Sequence, residues 1–292
     1  MRPLAYHRGA GVEQACTRVI PCPLVRARFR GVRGSVPWAG AGSIRFGSNT
    51  PCVEVRDLRS DGLLVLDAGT GIVGLGDQLG DRLRSVALVL THYHWDHIQG
   101  LPFFQPVFDP GWDLAIWGPT FAAGDVGSIA TLFRPPFFTT AYEDLPSAPA
   151  LHAIGPGSHR VAGFDLRALE LTHPGGALTY RLRGDAGDFV YATDHEFGMA
   201  AVDEALAAFA RDARHIVVDA QFTPEEAPAV KGWGHGTWKR AAEFAAEVGA
   251  GHLWLFHHKP GRSDDDLEGL VLRAREIFPA TDAAAEGVSF DF

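Results

Sequence analysis

The sequence predicts one α/β (α+β) domain built from two series of strands interleaved with helices. Three observations support this. Short apolar or alternating runs recur along the chain and read as strands, while stretches between them carry apolar residues at three-to-four spacing. The 292 residues suffice for one large domain or two small ones, with no repeat at solenoid period and no low-complexity tract. A hydrophobic fraction of 46% beside 21% charged residues is ordinary for a globular enzyme.

The first strand is expected at Val25–Arg30, after an N-terminal extension, or over-long start, covering residues 1–24. The glycine-rich loop Gly31–Gly40 and the stretch Arg45–Cys52 lead into a second strand, Val53-Glu54-Val55. Leu63-Leu64-Val65-Leu66 is a third strand, ending at Asp67 and a tight turn. Val86–Leu90 is a buried strand that runs directly into Thr91-His92-Tyr93-His94-Trp95-Asp96-His97. The segment from Phe103 to Phe138 is rich in Phe, Pro and Trp; it suits core packing, a pocket wall or a dimer face.

Further along, Phe164–Leu171 alternates and delivers His173. Ala177–Arg183 and Phe189–Thr193 form a hairpin that delivers Asp194. Asp203–Ala213 reads as an amphipathic helix, and Arg214–Asp219 as the next strand. Gly232-Trp233-Gly234-His235-Gly236-Thr237-Trp238 opens a helix to about Val248, which Gly249 is suited to end. Gly251–Phe256 is expected to be the last strand, running into His257 and His258. Ser263 before Asp264, Asp265 and Asp266 has the form of a capped helix start.

The chemistry concentrates in Thr91–His97. Three imidazoles and a carboxylate lie within a few residues, just beyond a buried strand. These are ligand types for zinc and similar divalent ions. A lone histidine is usually a surface or satisfied core residue, but four such groups buried together without a cation would be costly.

The His92-x-His94-x-Asp96-His97 pattern resembles the signature of the metallo-β-lactamase superfamily. The resemblance spans about Phe29 to Asp266. It implies an αββα sandwich of two mixed β-sheets flanked by helices, over residues 25–292, and a pair of divalent metal ions, zinc first and manganese as the alternative. It implies further ligands in the order His, Asp, His, which His173, Asp194 and His257 supply. His92, His94 and His173 would hold one ion; Asp96, His97 and His257 the other; Asp194 would bridge them. His258, next to His257, is expected to point away on an extended backbone. Asp67 matches the superfamily's Asp before Gly and is expected to orient a ligating histidine; a capping aspartate is the alternative.

Two loops resemble the ribonuclease Z and phosphodiesterase branch. The glycine-rich loop with Ser48-Asn49-Thr50 resembles one that lies beside the metals there, although an ordinary hairpin connection would look the same. The 232–238 stretch resembles that branch's Gly-His-Ser-Thr motif, with Gly236 where Ser is usual. Its His235 stands near a helix N-terminus, where it could meet an anion, or simply lie in a capping loop. The tRNA-processing members carry a long arm between the ligands matching His173 and Asp194, and this interval is too short for one.

The resemblance implies a phosphodiesterase acting on a small diester such as a cyclic nucleotide. A hydroxide bridging the metals would attack phosphorus, with Asp96 and Asp67 in the catalytic apparatus and His235 as acid or phosphoryl contact. The alternatives are a lactonase or thioesterase of the same fold, a tRNA 3′-processing endonuclease, and a non-enzymatic nucleotide-binding sensor. A redox enzyme fits less well, since iron-carrying relatives usually replace one of the first histidines with a carboxylate. The net charge of −9 argues against a large basic surface for nucleic acid. No apolar run would cross a bilayer, and no signal-peptide core stands at the start, so no membrane partner and a cytoplasmic location are expected. Cys16, Cys22 and Cys52 show no metal-site spacing and read as reduced thiols. A homodimer is expected from the relatives and the aromatic middle.

Overall fold

The computed structural model describes residues 25–60, 62–80 and 83–292. The N-terminal extension, with Cys16 and Cys22, lies outside the described residues; Cys52 is buried and free. Two seven-stranded mixed sheets form the centre. The first contains β1 (Val25–Gly31), β2 (Cys52–Asp57), β3 (Leu63–Leu66), β4 (Ser85–Val89), β5 (Asp113–Pro119), β6 (Ala150–Ile154) and, at its far edge beside β1, β14 (Ser289–Asp291). The second contains β7 (Gly157–Val161), β8 (Phe164–Leu171), β9 (Ala177–Leu182), β10 (Phe189–Ala192), β11 (His215–Asp219), β12 (Leu253–Phe256) and β13 (Thr281–Ala283), side by side in that order. In each sheet a run of antiparallel neighbours gives way to parallel ones, at β3–β4 and at β10–β11.

Alternation explains the strands at the sheet margins. In β1, Val25, Ala27 and Phe29 face inward, while Arg26 and Arg28 face solvent. The central strands Leu-Leu-Val-Leu, Phe-Val-Tyr-Ala and Leu-Trp-Leu-Phe are buried throughout, because both of their faces are covered. The apolar residues accordingly fall into three layers. One lies between the sheets and includes Phe29, Phe164, Tyr180 and Phe256. A second packs the helices α3 (Ala200–Ala210), α4 (Trp238–Glu247) and α5 (Asp264–Ile277) onto the second sheet. A third packs α1 (Gly71–Gly76), the single turn α2 (Trp95–Ile98) and irregular turns onto the first. This is the αββα sandwich. No helix among the described residues is long and apolar enough to cross a membrane.

The structure corrects several expectations. The helix expected at Asp203–Ala213 is α3, Ala200–Ala210, beginning and ending earlier. Asp203 lies inside it and accepts hydrogen bonds from the Gly198 N–H and the His195 ring, while Arg211, with ψ at 132°, leaves helical geometry and ends the helix before Asp212, which follows with a left-handed φ of 54°. Gly251–Phe256 is not the last strand, since β13 and β14 follow; at three residues each they are too short to show periodicity. The aromatic segment is mostly packing. Phe104 and Phe133 are buried in the outer layer of the first sheet, whereas Phe103 and Phe137 are exposed. Ser263 and Asp266 do form a reciprocal capping box at α5.

Candidate metal centre

The site gathers at one end of both sheets, where strands finish. β4 delivers His92 to His97, β8 delivers His173, β10 delivers Asp194 and β12 delivers His257. Asp67, Asp194 and His257 each follow a buried strand and each adopt a left-handed φ, at 60°, 56° and 61°. Such a conformation is uncommon outside glycine and clusters at functional sites.

The residues expected as ligands converge. His92, His94 and His173 offer ring nitrogens within 4.8 Å of one another, and Asp96, His97 and His257 form a second such set. Asp194 lies between them: one of its carboxylate oxygens is 3.9 Å from His92 Nε2 and 3.8 Å from His173 Nε2, the other 3.2 Å from His97 Nε2. His257 Nε2 is 3.1 Å from Asp96 Oδ2 and 3.4 Å from His97 Nε2. His94 is the exposed member, so the centre opens to solvent on its side.

The donor set fits divalent cations. His173 Nε2 faces His94 Nδ1 at 2.9 Å, while His173 Nδ1 donates to the Gly234 carbonyl at 2.8 Å, which leaves a lone pair on Nε2. His92 Nε2 is buried in the cluster without a hydrogen-bond partner. A buried orphan nitrogen beside other nitrogens and carboxylates is costly unless a cation takes their lone pairs. Protonation points the same way. Burial lowers the pKa of His92 and His94, and that of His173 to about 4, keeping all three neutral. Burial works against ionised Asp194, but the His257 and His97 rings outweigh it; His97 and His257 do the same for Asp96. His97 is also opposed by burial, yet Asp194, Asp67 and Asp96 raise it well above the ordinary imidazole value. A divalent ion can replace that proton.

Asp67 is fully buried and sits behind the residues expected as ligands rather than among them. It accepts the His97 Nδ1 proton at 2.8 Å, together with the Thr91 N–H, the Thr91 hydroxyl and the Tyr191 hydroxyl at 2.9 Å. His97 Nε2 is thereby left to face the centre. His258 does point away and donates to the Ala284 carbonyl at 2.8 Å. The cause is the left-handed φ at His257 rather than an extended backbone. In the early loop, Gly34 and Ser35 approach the site, and the Ser35 N–H donates to Asp96 Oδ2 at 2.6 Å. Ser48-Asn49-Thr50 does not: Ser48 and Asn49 bond Glu286, and Thr50 bonds Thr70.

His235 lies against the cluster, stacked on His257 with ring centroids 4.8 Å apart. Its Nδ1 donates to Asp219 Oδ2 at 2.8 Å and is 3.7 Å from Asp194. Burial opposes its charge, but Asp219, then Asp194 and Asp96, raise its pKa to about 9. Gly236 uses its backbone N–H on Asp219 at 2.9 Å, and a Cβ there would collide with the Asp219 carbonyl. Sequence reading gave Asp219 no role, although it ends an apolar strand just as Asp67 and nearly Asp194 do. Tyr191 and Gln221, whose partners are also in the centre, carried no sequence signal beyond their place on or after a strand.

Residues 64–258 match the family described as beta-lactamase superfamily domain. Ribonuclease Z of Lacticaseibacillus casei (strain BL23) is 29% identical, over 83% of this chain and 89% of that protein. The metallo-beta-lactamase fold protein YhfI from Bacillus subtilis superposes with a TM-score of 0.67 at 20% identity, over 92% of this chain and 99% of its own. A diphosphatase from the PhnP family superposes with a TM-score of 0.66 at 18% identity, over 92% and 97%. The chain belongs to the beta-lactamase superfamily, as a metal-dependent hydrolase of the branch that includes ribonuclease Z.

Proposed function

We propose that the protein is a phosphodiesterase that uses two divalent ions, zinc in the first instance, to cleave a small phosphodiester such as a cyclic nucleotide. The observation that carries this reading is the convergence of two three-residue donor sets on Asp194, with His235 at their edge. His92, His94 and His173 are assigned to one ion, Asp96, His97 and His257 to the other, and Asp194 to both. Two ions so held supply an activated water and a clamp for phosphoryl oxygens.

The chain's own residues do the rest. Asp67 holds His97 in the ligating tautomer. His235, whose Nδ1 donates to Asp219, is assigned through its other ring nitrogen as the donor to the leaving oxygen or to a phosphoryl oxygen. Space for the substrate lies on two sides. A cavity of about 190 Å³ adjoins His92 and His94, bordered by Phe121 and Gly175. A larger one of about 560 Å³ adjoins His235, between Phe197, Phe222, Val230 and Arg240. The larger has the size and apolar walls of a small-molecule site and is assigned to the organic part of the diester.

A second reading, tRNA 3′ processing, is favoured by the similarity to ribonuclease Z along most of that protein's length. The short link between β9 and β10 and the net charge of −9 favour a small substrate instead. A homodimer is part of the proposal, with exposed Phe103 and Phe137 as contact residues; light scattering on the purified protein tests it.

The deciding experiment is turnover by protein of measured metal content. The panel holds bis(p-nitrophenyl) phosphate, purine and pyrimidine cyclic nucleotides, a precursor tRNA with a 3′ trailer, a lactone and a thioester, with Asp96→Ala as blank. Metal-dependent cleavage of diesters that vanishes in the blank is the expected result. Cleavage of the precursor tRNA alone would establish the second reading, and cleavage of the lactone or thioester alone would refute both. His235→Ala is expected to slow an unactivated diester about a hundredfold. Unchanged turnover would remove His235 from the mechanism.

A further inference from the structure

Behind the ligands assigned to the second ion, the structure closes a ring of polar contacts through a residue with no role so far. Gln221 follows β11 and is only 4% exposed. Its side-chain oxygen lies 3.1 Å from His257 Nδ1. Its amide nitrogen donates to the Ser35 hydroxyl at 3.2 Å. The Ser35 backbone N–H donates to Asp96 Oδ2 at 2.6 Å, and that same oxygen is 3.1 Å from His257 Nε2. The ring thus runs from one ligand to the other by way of Gln221 and Ser35.

We propose that Gln221 is a positioning residue that fixes the tautomer of His257 and ties it to Asp96, so that both face the second ion. The inference rests on the assignment of His257 and Asp96 as ligands. An amide oxygen can only accept, so His257 Nδ1 carries the proton and Nε2 carries the lone pair. The opposite amide orientation would donate to Nδ1, place the proton on Nε2 and silence it as a ligand. The Ser35 hydroxyl accepts the amide N–H in the first orientation, and Asp219 Oδ2, an acceptor only, stands 3.5 Å from Nδ1 and favours the proton there too.

The surrounding backbone is shaped for this ring. Ser35 adopts a left-handed φ of 64°, which a non-glycine residue rarely holds without support. Gly34 lies so close to His257 that a Cβ there would overlap the imidazole. Gln221 is itself anchored, since its backbone N–H donates to Asp219 Oδ1 at 3.1 Å and its carbonyl accepts from Arg262 at 3.3 Å. Asp219 Oδ2 also stands 3.5 Å from His257 Nδ1, but Gln221 is the nearer acceptor.

The test measures stepwise zinc affinity by competition with a chromophoric chelator, and the visible spectrum of the cobalt form, in wild type, Gln221→Met, Gln221→Glu and His257→Ala. Partners of this kind are worth about ten- to a hundredfold in metal affinity. Gln221→Met keeps the length and loses the acceptor. It is expected to weaken the second ion by that factor, to leave the first unchanged and to shift the cobalt spectrum. Gln221→Glu, which can only accept at this position, is expected to restore affinity to within a few fold. Second-ion affinity unchanged in Gln221→Met but lost in His257→Ala would overturn the role of Gln221 and spare the ligand assignment. If His257→Ala binds both ions like wild type, the ligand assignment fails and this inference with it. Loss of the first ion in Gln221→Met, with no rescue by Glu, would show a general packing role and also overturn the proposal.

Discussion

One carboxylate oxygen of Asp219 accepts both the His235 Nδ1 proton at 2.8 Å and the Asp194 backbone N–H at 3.2 Å. The other oxygen accepts the N–H groups of Gly236 and Gln221. Asp219 therefore sets His235 and Asp194 in one frame. Asp219→Asn keeps the shape but must turn an N–H toward one of these donors. Turnover of an unactivated diester is expected to fall about a hundredfold, as for loss of the acid itself. Zinc content, read by atomic absorption, should stay at the wild-type value. Equal losses of zinc and activity would instead make Asp219 a support of the metals.

Asp67 gives a prediction about stability. Its buried carboxylate accepts from His97, Thr91 and Tyr191, and among the described residues the Tyr191 hydroxyl donates to Asp67 alone. Burial, then the charge of Asp67, raises the Tyr191 pKa, so the phenol stays a donor at every working pH. A hydrogen bond to a charged group is worth about 1.5–3 kcal/mol. Tyr191→Phe is expected to lose about that much in urea unfolding, with turnover nearly unchanged. Asp67→Ala leaves four donor groups, on His97, Thr91 and Tyr191, without this acceptor and frees the His97 ring; it should cost more stability and weaken zinc binding about ten- to a hundredfold.

Gly34 tests how closely the early loop must approach. Its backbone has no left-handed φ, so alanine is free to adopt the conformation. The obstacle is the His257 ring, which the new Cβ would overlap. Gly34→Ala is expected to displace that ring and weaken the second ion at least tenfold in chelator competition. Gly40, whose Cβ would meet nothing within 4 Å, is the control, and Gly40→Ala should bind zinc like wild type.

The legible and illegible parts of the sequence divide on physical lines. A strand covered on both faces must be apolar throughout, so Leu63–Leu66, Phe189–Ala192 and Leu253–Phe256 stood out, and so did the His or Asp beyond each. The ligating types are seldom buried in such a place for packing alone. What escaped was fixed by tertiary contact. Edge strands β13 and β14 are defined by pairing with β12 and β1, and carry no pattern of their own. Gln221 acquires meaning only because β11 ends beside His257. The start of α3 depends on Asp203 bonding back to Gly198, which periodicity does not register. Ser48-Asn49-Thr50 resembled a metal-side loop, but Glu286, near the far end of the chain, takes up the Ser48 and Asn49 donors.

Acid is expected to weaken the fold through a histidine outside the candidate metal centre. His215 starts β11, with its ring against Phe290 at a centroid distance of 4.4 Å. Its Nδ1 accepts the Trp254 indole N–H at 3.3 Å, which requires an unprotonated nitrogen. Burial, then the neighbouring His252 and Arg214, lowers its pKa to about 4, while Asp291 pulls weakly the other way. An unfolded chain protonates this side chain near pH 6.5, roughly the reference imidazole value. Between those values the unfolded state binds more protons, so stability falls as pH drops. The loss begins below about 6.5, is complete below about 4, and is absent above neutrality. The ring is partly solvated, so the contribution is discounted to about 1–2 kcal/mol. Gln cannot gain a proton here, so His215→Gln should lose less stability than wild type on going from pH 7 to pH 4. Urea unfolding of both proteins at the two pH values, each with saturating zinc, measures the difference; the acid sensitivity of the metal centre is common to both and cancels. Equal losses in the two proteins would show that His215 is not held neutral by the fold.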